Sequence, residues 1–533
     1  MKRLFLSILS LTCLTVLCMA QDYHVIPFPN ELTKQEGAFT FKGQLSIQGP
    51  STFASEIDLL SETFEKEHAL SFTTDGLTPD IVIEEDETIK DDEAYKLKIS
   101  PQGISIKASA SAGCFYAFQT IRQLMKPTLG GGYTVVSCEI EDTPNLKWRA
   151  YMLDEGRNFQ GKEVVFRLLD EMARLKMNIF HWHLTEDQGW RIEIKKYPLL
   201  TEVGAWRDST VFRKTVYENG KPRWIDNQPY SPLPAGGFYT QEEVREIVAY
   251  AAKRHIDIVP EIEMPGHASA AIAAYPWLLS DDAKPTKVPV NYGIKQIAYN
   301  VASERVYTFL TDVLTEVMAL FPFHVIHIGG DEVRYNSWES NSDIKALMKK
   351  EKLQSFSDVQ VFFTNRISNF IESKGRSMMG WNEILGNVHV EHNQQKATSK
   401  LAQSSIIHFW KGDQKLLEEA LIKGYKVVNS WTQHTYLDYV KERQPIEKVY
   451  SFKPVPEGLT AAQQALLIGI GCQMWGEVTV RPIDVYAFTF PRIAAIAEVG
   501  WTKTQNKDFN RFMTSLQFLK YQWDKVGLYY YEE

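Results

Sequence analysis

Cysteine is scarce in this chain: there are five in 533 residues, and Cys13 and Cys18 fall within the first twenty. The remaining three, Cys114, Cys138 and Cys472, are scattered, which excludes a disulfide framework and a cysteine-based zinc site. Positive charge is also in short supply. The 58 Lys and Arg are outnumbered by 66 Asp and Glu, and a formal net charge of −8 gives no reason to expect nucleic acid as a partner. Beyond the N-terminus no apolar run has the length of a membrane-spanning helix. Nor is there an internal repeat beyond a simple alternation of strands and helices.

What is present describes a globular chain, 44% hydrophobic and 23% charged. Its length exceeds one ordinary core, so two domains are the starting expectation. Met1-Lys2-Arg3, an apolar stretch over 4–16 and the small-residue end at Ala20 have the form of a signal peptide cut before Gln21. Export to the periplasm or the cell exterior is therefore expected. Cys18 raises a lipoprotein alternative, but Thr15-Val16-Leu17 matches a lipobox poorly. Aromatic residues are plentiful, with 13 Trp, 24 Tyr and 28 Phe; many belong to the core, while Trp beside loops also suits stacking on sugar faces.

Residues 21–143 read as a small α+β domain. Strands are expected over 81–84, 95–99 and 103–108, and a helix over 111–124, where Phe115, Phe118, Ile121 and Leu124 recur at helical spacing. The acids of 84–93 read as a solvated edge or loop. From 144 to 505 the pattern becomes strand then helix, which argues for α/β with a parallel sheet. Eight strands are expected, over 149–153, 178–184, 256–261, 325–330, 377–381, 406–410, 426–430 and 468–475. They fit a (β/α)8 TIM-type barrel with insertions, among them a long loop before a helix over 240–254. Residues 506–533 supply an amphipathic packing helix and a tail.

The organising stretch is Val325-Ile326-His327-Ile328-Gly329-Gly330-Asp331-Glu332. A buried strand ends in two glycines, which permit a sharp turn and a close approach, and two adjacent acids follow. Unpaired acids there are costly unless ligand or chemistry justifies them; the alternative is the first turn of a helix. Barrel sites gather at the C-terminal ends of strands. Those ends carry Asp154 to Arg157, Glu186 to Trp190, Glu263 to His267, Asp331-Glu332, Trp381-Asn382-Glu383, Trp410, Trp431 to Asp438, and Trp475-Gly476-Glu477. Each alone fits core packing; one shared rim does not. His181-Trp182-His183 places two histidines on one face of a strand, a pattern that metal sites also use, with His267, His327 and Asp331 as further ligands. Satisfied core histidines explain it equally well.

These motifs resemble glycoside hydrolase family 20, the β-N-acetylhexosaminidases. The resemblance rests on His181 through Arg191, Gly236-Gly237-Phe238-Tyr239-Thr240, Pro260 through His267 and His327 through Glu332, in the family's order, and continues through Trp381 and Trp475-Gly476-Glu477. It implies an exo-acting enzyme that takes an oligosaccharide or glycoconjugate, with neither cofactor nor metal. It also implies a reaction in which the substrate's own 2-acetamido oxygen is the nucleophile, a stated exception among retaining glycosidases. Glu332 would then be the general acid and Asp331 the group orienting the acetamido. His267 would support the acid with Glu186 or Asp187, where the family often has Asp-Asp. Arg157, Asp438 and Glu477 would bind sugar hydroxyls, Tyr436 the acetamido carbonyl, and Trp381, Trp410 and Trp475 would enclose its methyl. Three alternatives remain: a variant acting on sulfated sugars or releasing disaccharides, a binding pseudoenzyme, and a metal hydrolase built on His181 and His183.

Overall fold

The structure is a computed structural model that describes residues 23–75, 78–386 and 396–532. The expected leader lies outside the described residues. No described helix is long and apolar enough to cross a membrane.

The N-terminal sheet has, in spatial order, Glu31–Phe41, Tyr133–Asp142, Tyr95–Ser100, Gly103–Ala108, Ile81–Glu85, Gln44–Gln48 and Ser71–Thr73. The expected strands are there, but the long antiparallel pair of Glu31–Phe41 with Tyr133–Asp142 escapes a hydrophobicity reading, because Glu31–Phe41 is largely exposed. The helix Ser111–Leu124 is buried nearly all round. It packs on the sheet and also meets the larger domain, with the Tyr116 ring 5.1 Å from that of Trp501. A helix covered on both faces needs no polar stripe.

Eight parallel strands close the barrel: β1 (Trp148–Asp154), β2 (Ile179–His183), β3 (Asp257–Glu261), β4 (Val325–His327), β5 (Ser377–Trp381), β6 (Ile406–Phe409), β7 (Lys426–Asn429) and β8 (Leu467–Met474), with β8 pairing back onto β1. Alternate residues point inward. The lower layer of the lumen is apolar, built from Trp148, Ala150, Ile179, Val259, Val325, Met379, Ile406 and Val428. Above it come His181, Glu261, His327 and His408, all buried. The expected long loop after β2 is instead largely a β-hairpin, Thr210–Glu218 with Lys221–Ser231. Asn219-Gly220 turns it with both residues at positive φ, as a two-residue hairpin turn requires.

The two domains are bolted together by buried charge. Lys176 Nζ lies 3.1 Å from Asp142 Oδ2, with both side chains fully buried. Tyr95 and the Trp501 indole also donate to that oxygen. Arg149 of β1 pairs with Glu93 at 2.5 Å, so the acidic stretch of 84–93 is no simple solvated edge: its last member anchors the barrel. The C-terminal helix Phe509–Lys525 closes the arrangement. Its Trp523 donates to Glu171 of the first barrel helix at 2.8 Å, and Phe518 stacks on His24 of the small domain at 3.7 Å.

Candidate active site

A cavity of about 840 Å³ opens at the C-terminal rim of the barrel, within the range of small-molecule sites. Arg157, Glu186, His267, Asp331, Glu332, Trp410, Tyr436, Asp438, Trp475 and Glu477 line it. Trp381 and Asp187 stand one layer behind. A second cavity of about 740 Å³ lies between the small domain and the C-terminal helix. There Glu67 and Glu171 already neutralise the buried Arg122 and Arg174, leaving a structural charge cluster.

The turn after β4 builds the acidic pair. Past His327 the chain keeps bonding its neighbours, with Ile328 N–H to Met379 O at 2.9 Å. It then turns through Gly329 and Gly330 at φ 66° and 89°. A Cβ at Gly329 would collide with the Glu263 carboxylate, so the glycine is required there. Glu332 itself holds φ 49°, and His267 holds φ 44°. Left-handed backbone at two non-glycine residues costs on the order of 1–3 kcal/mol each and concentrates where function over-determines geometry. The next helix begins only at Asn336, so Asp331 and Glu332 do not occupy a first helical turn. Nor do they diverge as neighbours on a strand would, because both lie beyond its end: His267 Nε2 is 3.8 Å from Asp331 Oδ2 and 3.9 Å from Glu332 Oε2.

The other face of His267 addresses both strand-two acids. Its Nδ1 is 2.7 Å from Glu186 Oε1 and 3.1 Å from Asp187 Oδ2. Asp187 also accepts from the amide and hydroxyl of Ser269, so it is a fixed anchor. Glu186 is the bridge, reaching Arg157 at 3.3 Å and His183 at 3.3 Å. Arg157 continues to Asp154 at 2.8 Å and Glu477 at 3.5 Å, and so ties the ends of β1, β2 and β8.

Charge is unevenly satisfied here. Burial raises Glu332, Asp331 adds to it, and His267, Lys411 and Arg157 offset only part. Burial likewise raises Asp331, with Glu261 and Glu186 against it and His267 in its favour. For His267 burial works against the charge, yet Glu186, Asp187 and Asp331 hold its pKa well above the ordinary value. Burial and Glu477 push Asp438 up to about 7. Burial and Asp331 push Glu383, which accepts from the Trp410 indole at 2.9 Å, up to about 8. Among the lining groups, Asp331 Oδ1, Tyr436 Oη, Asp438 Oδ1 and Glu477 Oε2 are buried without a hydrogen-bond partner among the described residues.

Aromatic rings shape the walls. Tyr436 stacks with Trp410 at 5.9 Å and lies 6.2 Å from Trp475. Trp381 forms the floor beneath them, 6.4 Å from Trp410 and 5.8 Å from Trp475, stacked on His408 at 4.1 Å. Sequence reasoning points to the segment 206–237 as a determinant of substrate preference but names no residue of the rim that its hairpin contributes. Arg213 reaches Glu477 at 3.5 Å, and Trp224 lies between the guanidinium groups of Arg213 and Arg443 at 4.5 and 4.8 Å. The Asn219-Gly220 turn was the available signal for that hairpin.

The histidines of the expected metal alternative converge on one buried carboxylate, close enough together to hold an ion. His181 Nε2 and His183 Nδ1 each lie 2.7 Å from Glu261 Oε2, and His327 Nδ1 lies 3.0 Å from Oε1. The same-face expectation for His181 and His183 is met, inside the lumen below the cavity.

A TIM-type barrel with two adjacent carboxylates, one on left-handed backbone, and an aromatic enclosure at its C-terminal rim fits a carbohydrate hydrolase. Sequence comparison agrees: residues 146–504 match the catalytic domain of glycosyl hydrolase family 20, and residues 22–143 match its domain 2. The chain belongs to that family. It is 34% identical to a β-hexosaminidase of Vibrio furnissii over 502 residues, covering 90% of this chain and 77% of that one. It is 33% identical to a β-hexosaminidase of Porphyromonas gingivalis, covering 95% of this chain but spanning 64% of that protein's length. Among solved structures, the exo β-N-acetylglucosaminidase of Vibrio harveyi in complex with N-acetylglucosamine aligns with TM-score 0.84 at 31% identity, over 96% of this chain and 79% of that one. The β-N-acetylhexosaminidase of Bacteroides fragilis aligns with TM-score 0.79 at 29% identity, over 95% and 96%.

Proposed function

We propose that this chain is an exo-acting β-N-acetylhexosaminidase that releases terminal nonreducing β-linked GlcNAc or GalNAc by substrate-assisted, retaining hydrolysis. The observation that carries the reading is the set of buried, unpartnered polar atoms on Asp331, Tyr436, Asp438 and Glu477, facing one cavity walled by Trp410 and Trp475. Buried polar groups are normally paired, so this set fits a ligand with several hydroxyls and an amide.

The chemistry follows from the two acids. Burial and Asp331 raise the pKa of Glu332, which favours its protonated form, and a protonated carboxyl can deliver its proton to the leaving glycosidic oxygen. The 2-acetamido oxygen attacks the anomeric carbon as that bond breaks, giving an oxazolinium. Asp331 holds the acetamido N–H and faces the positive charge that grows there. Tyr436 donates to the acetamido oxygen, and the indoles clamp the methyl in a near-attack geometry. Glu332, now a carboxylate, takes a proton from water, whose oxygen opens the ring on the same face. His267, held by Glu186 and Asp187, sits against both acids. Arg157, Asp438 and Glu477 bind sugar hydroxyls. Exo action is supported by the crowding of Arg213 and Trp224 at the Glu477 end of the cavity.

The test is release of monosaccharide from defined β-GlcNAc and β-GalNAc glycosides, sulfated ones included, alongside binding of GlcNAc-thiazoline. The thiazoline should bind far more tightly than substrate, and β-glucosides, which lack the nucleophile, should be turned over very poorly. Efficient β-glucoside hydrolysis, or a sugar covalently attached to Asp331, Asp438 or Glu477, overturns the mechanism. Full activity after chelation separates it from metal chemistry. The leader's composition supports export, to be checked by N-terminal sequencing of secreted protein, which should begin at Gln21 unless Cys18 carries a lipid.

A further inference from the structure

Beneath the cavity floor lies a cluster that the proposed mechanism does not use. Glu261, at the end of β3, is fully buried. Its Oε1 accepts from the Trp381 indole at 2.8 Å, and its Oε2 meets His181 and His183 at 2.7 Å each. The other nitrogen of His183 lies 3.3 Å from Glu186 Oε2. His327 and His408 complete the layer as a directed chain. His327 Nδ1 accepts from Gly329 N–H at 3.0 Å, its Nε2 meets His408 Nδ1 at 3.2 Å, and His408 Nε2 meets the Ser430 hydroxyl at 2.8 Å. With Nδ1 occupied by the Gly329 N–H, the 3.0 Å approach of Glu261 to His327 is a close contact and not a hydrogen bond.

One buried carboxylate therefore touches both halves of the site, the indole floor directly and the Glu186–His267 pair through His183. We infer that Glu261 and His183 are positioning residues, a carboxylate–imidazolium pair that sets Trp381 and Glu186 at once. This rests on the hexosaminidase reading above. The charges agree with it. Burial opposes a charge on His183, yet Glu261 and Glu186 lift it to about 10, whereas burial drives His181 down to about 4 and His408 lower than its ordinary value. A neutral cluster of satisfied core histidines needs no such asymmetry. A cation between two carboxylates does orient them: His183 hydrogen-bonds Glu186 and stands in ion-pair contact with Glu261, and charge strengthens both contacts.

The experiment uses the full chain. Glu261→Gln keeps an acceptor for the Trp381 indole but removes the charge facing His183. The expected result is a kcat on an unactivated β-GlcNAc glycoside lowered about 10–100-fold, in the range that misplaced catalytic groups produce, with KM changed less than about threefold. Rates are taken per active site, counted by titration with GlcNAc-thiazoline, so misfolded protein does not enter. His183→Asn approaches the pair from the other side and serves where Glu261→Gln does not accumulate. If the two act as one unit, the double variant is no slower than the worse single variant. Wild-type kcat in either single variant, or fully additive losses in the double, overturns the inference. A wild-type protein that fails to cleave β-GlcNAc glycosides sinks the functional reading instead, so the two failures stay distinct.

Discussion

Two regions of this molecule bury charge, and they do it in opposite ways. At the seam between the domains each of these buried ions has its counter-ion: Lys176 with Asp142, Arg149 with Glu93, Arg174 with Glu67. At the barrel rim, carboxylates crowd one another. Asp331 raises Glu332, Glu477 raises Asp438, and several polar atoms have no partner. Burying an unpaired charge is expensive, and burying a paired one is roughly neutral. The seam is built to hold, while the rim accepts a cost that a substrate can offset. Unpaired burial at a concave site, and not burial of charge in itself, separates chemistry from architecture.

The comparison breaks most visibly at Glu332. Glu332→Gln keeps the shape and removes the proton donor, so turnover of an unactivated glycoside should fall about 10²–10⁴-fold with thermal stability unchanged or improved. Near-normal hydrolysis by that variant would show that Glu332 is not the acid. The seam should respond in stability instead. Lys176→Met strands Asp142 without its cation, and breaking such a pair costs about 3–5 kcal/mol. Denaturant unfolding should show that loss while kcat per folded molecule stays close to wild type. If the kinetics suffer and the stability does not, the division between seam and rim is wrong.

A smaller effect is expected at the wall. Trp475→Ala removes a ring that carries the Arg157 guanidinium 5.0 Å above it and faces Tyr436. Both a higher KM and a kcat lower by roughly tenfold should follow, since the acetamido is then no longer held for attack. Unchanged constants in a folded variant make Trp475 core and nothing more.

Much of this was legible in the sequence, for identifiable reasons. The eight barrel strands are short, largely apolar runs buried on both faces, which is how parallel strands advertise themselves. His327 to Glu332 stood out because two glycines between a strand and two acids have few other uses. What stayed hidden depends on partners remote in sequence. The acids of 84–93 look solvated until Arg149, 56 residues from Glu93, is seen to claim that side chain. Glu261 is one acid in a motif until three histidines from two other strands close on it. The hairpin over 210–231 lacks a buried face, so its hydrophobic alternation is weak, and only Asn219-Gly220 betrays it. No spacing could have shown that Trp224 would lodge between Arg213 and Arg443.

The finest test of the comparison is the sign of a pH dependence. Asp438 at the rim has its pKa raised from 3.8 to about 7, by burial first and Glu477 second. A carboxyl raised on folding is stabilising while protonated. Its contribution is complete below about pH 4 and is lost as pH climbs through about 7. Glu67 beside the seam is the reverse: burial opposes its charge, but Arg122 and Arg174 hold it down at about 2 from 4.5. Its contribution is complete above about pH 4.5 and disappears as pH falls through about 2. Asp438→Asn should therefore match wild type near pH 4 and exceed it near pH 8. Glu67→Gln should fall below wild type at pH 7 and approach it only in strong acid. Each difference should be on the order of 1 kcal/mol or somewhat more, since a tenfold change in proton affinity corresponds to about 1.4 kcal/mol and relaxation around the group takes part of it back. Unfolding curves for both variants across pH 3–8 would read this directly. Two variants that move together, whichever way, would mean that rim and seam bury charge on the same terms, and the contrast would have to be given up.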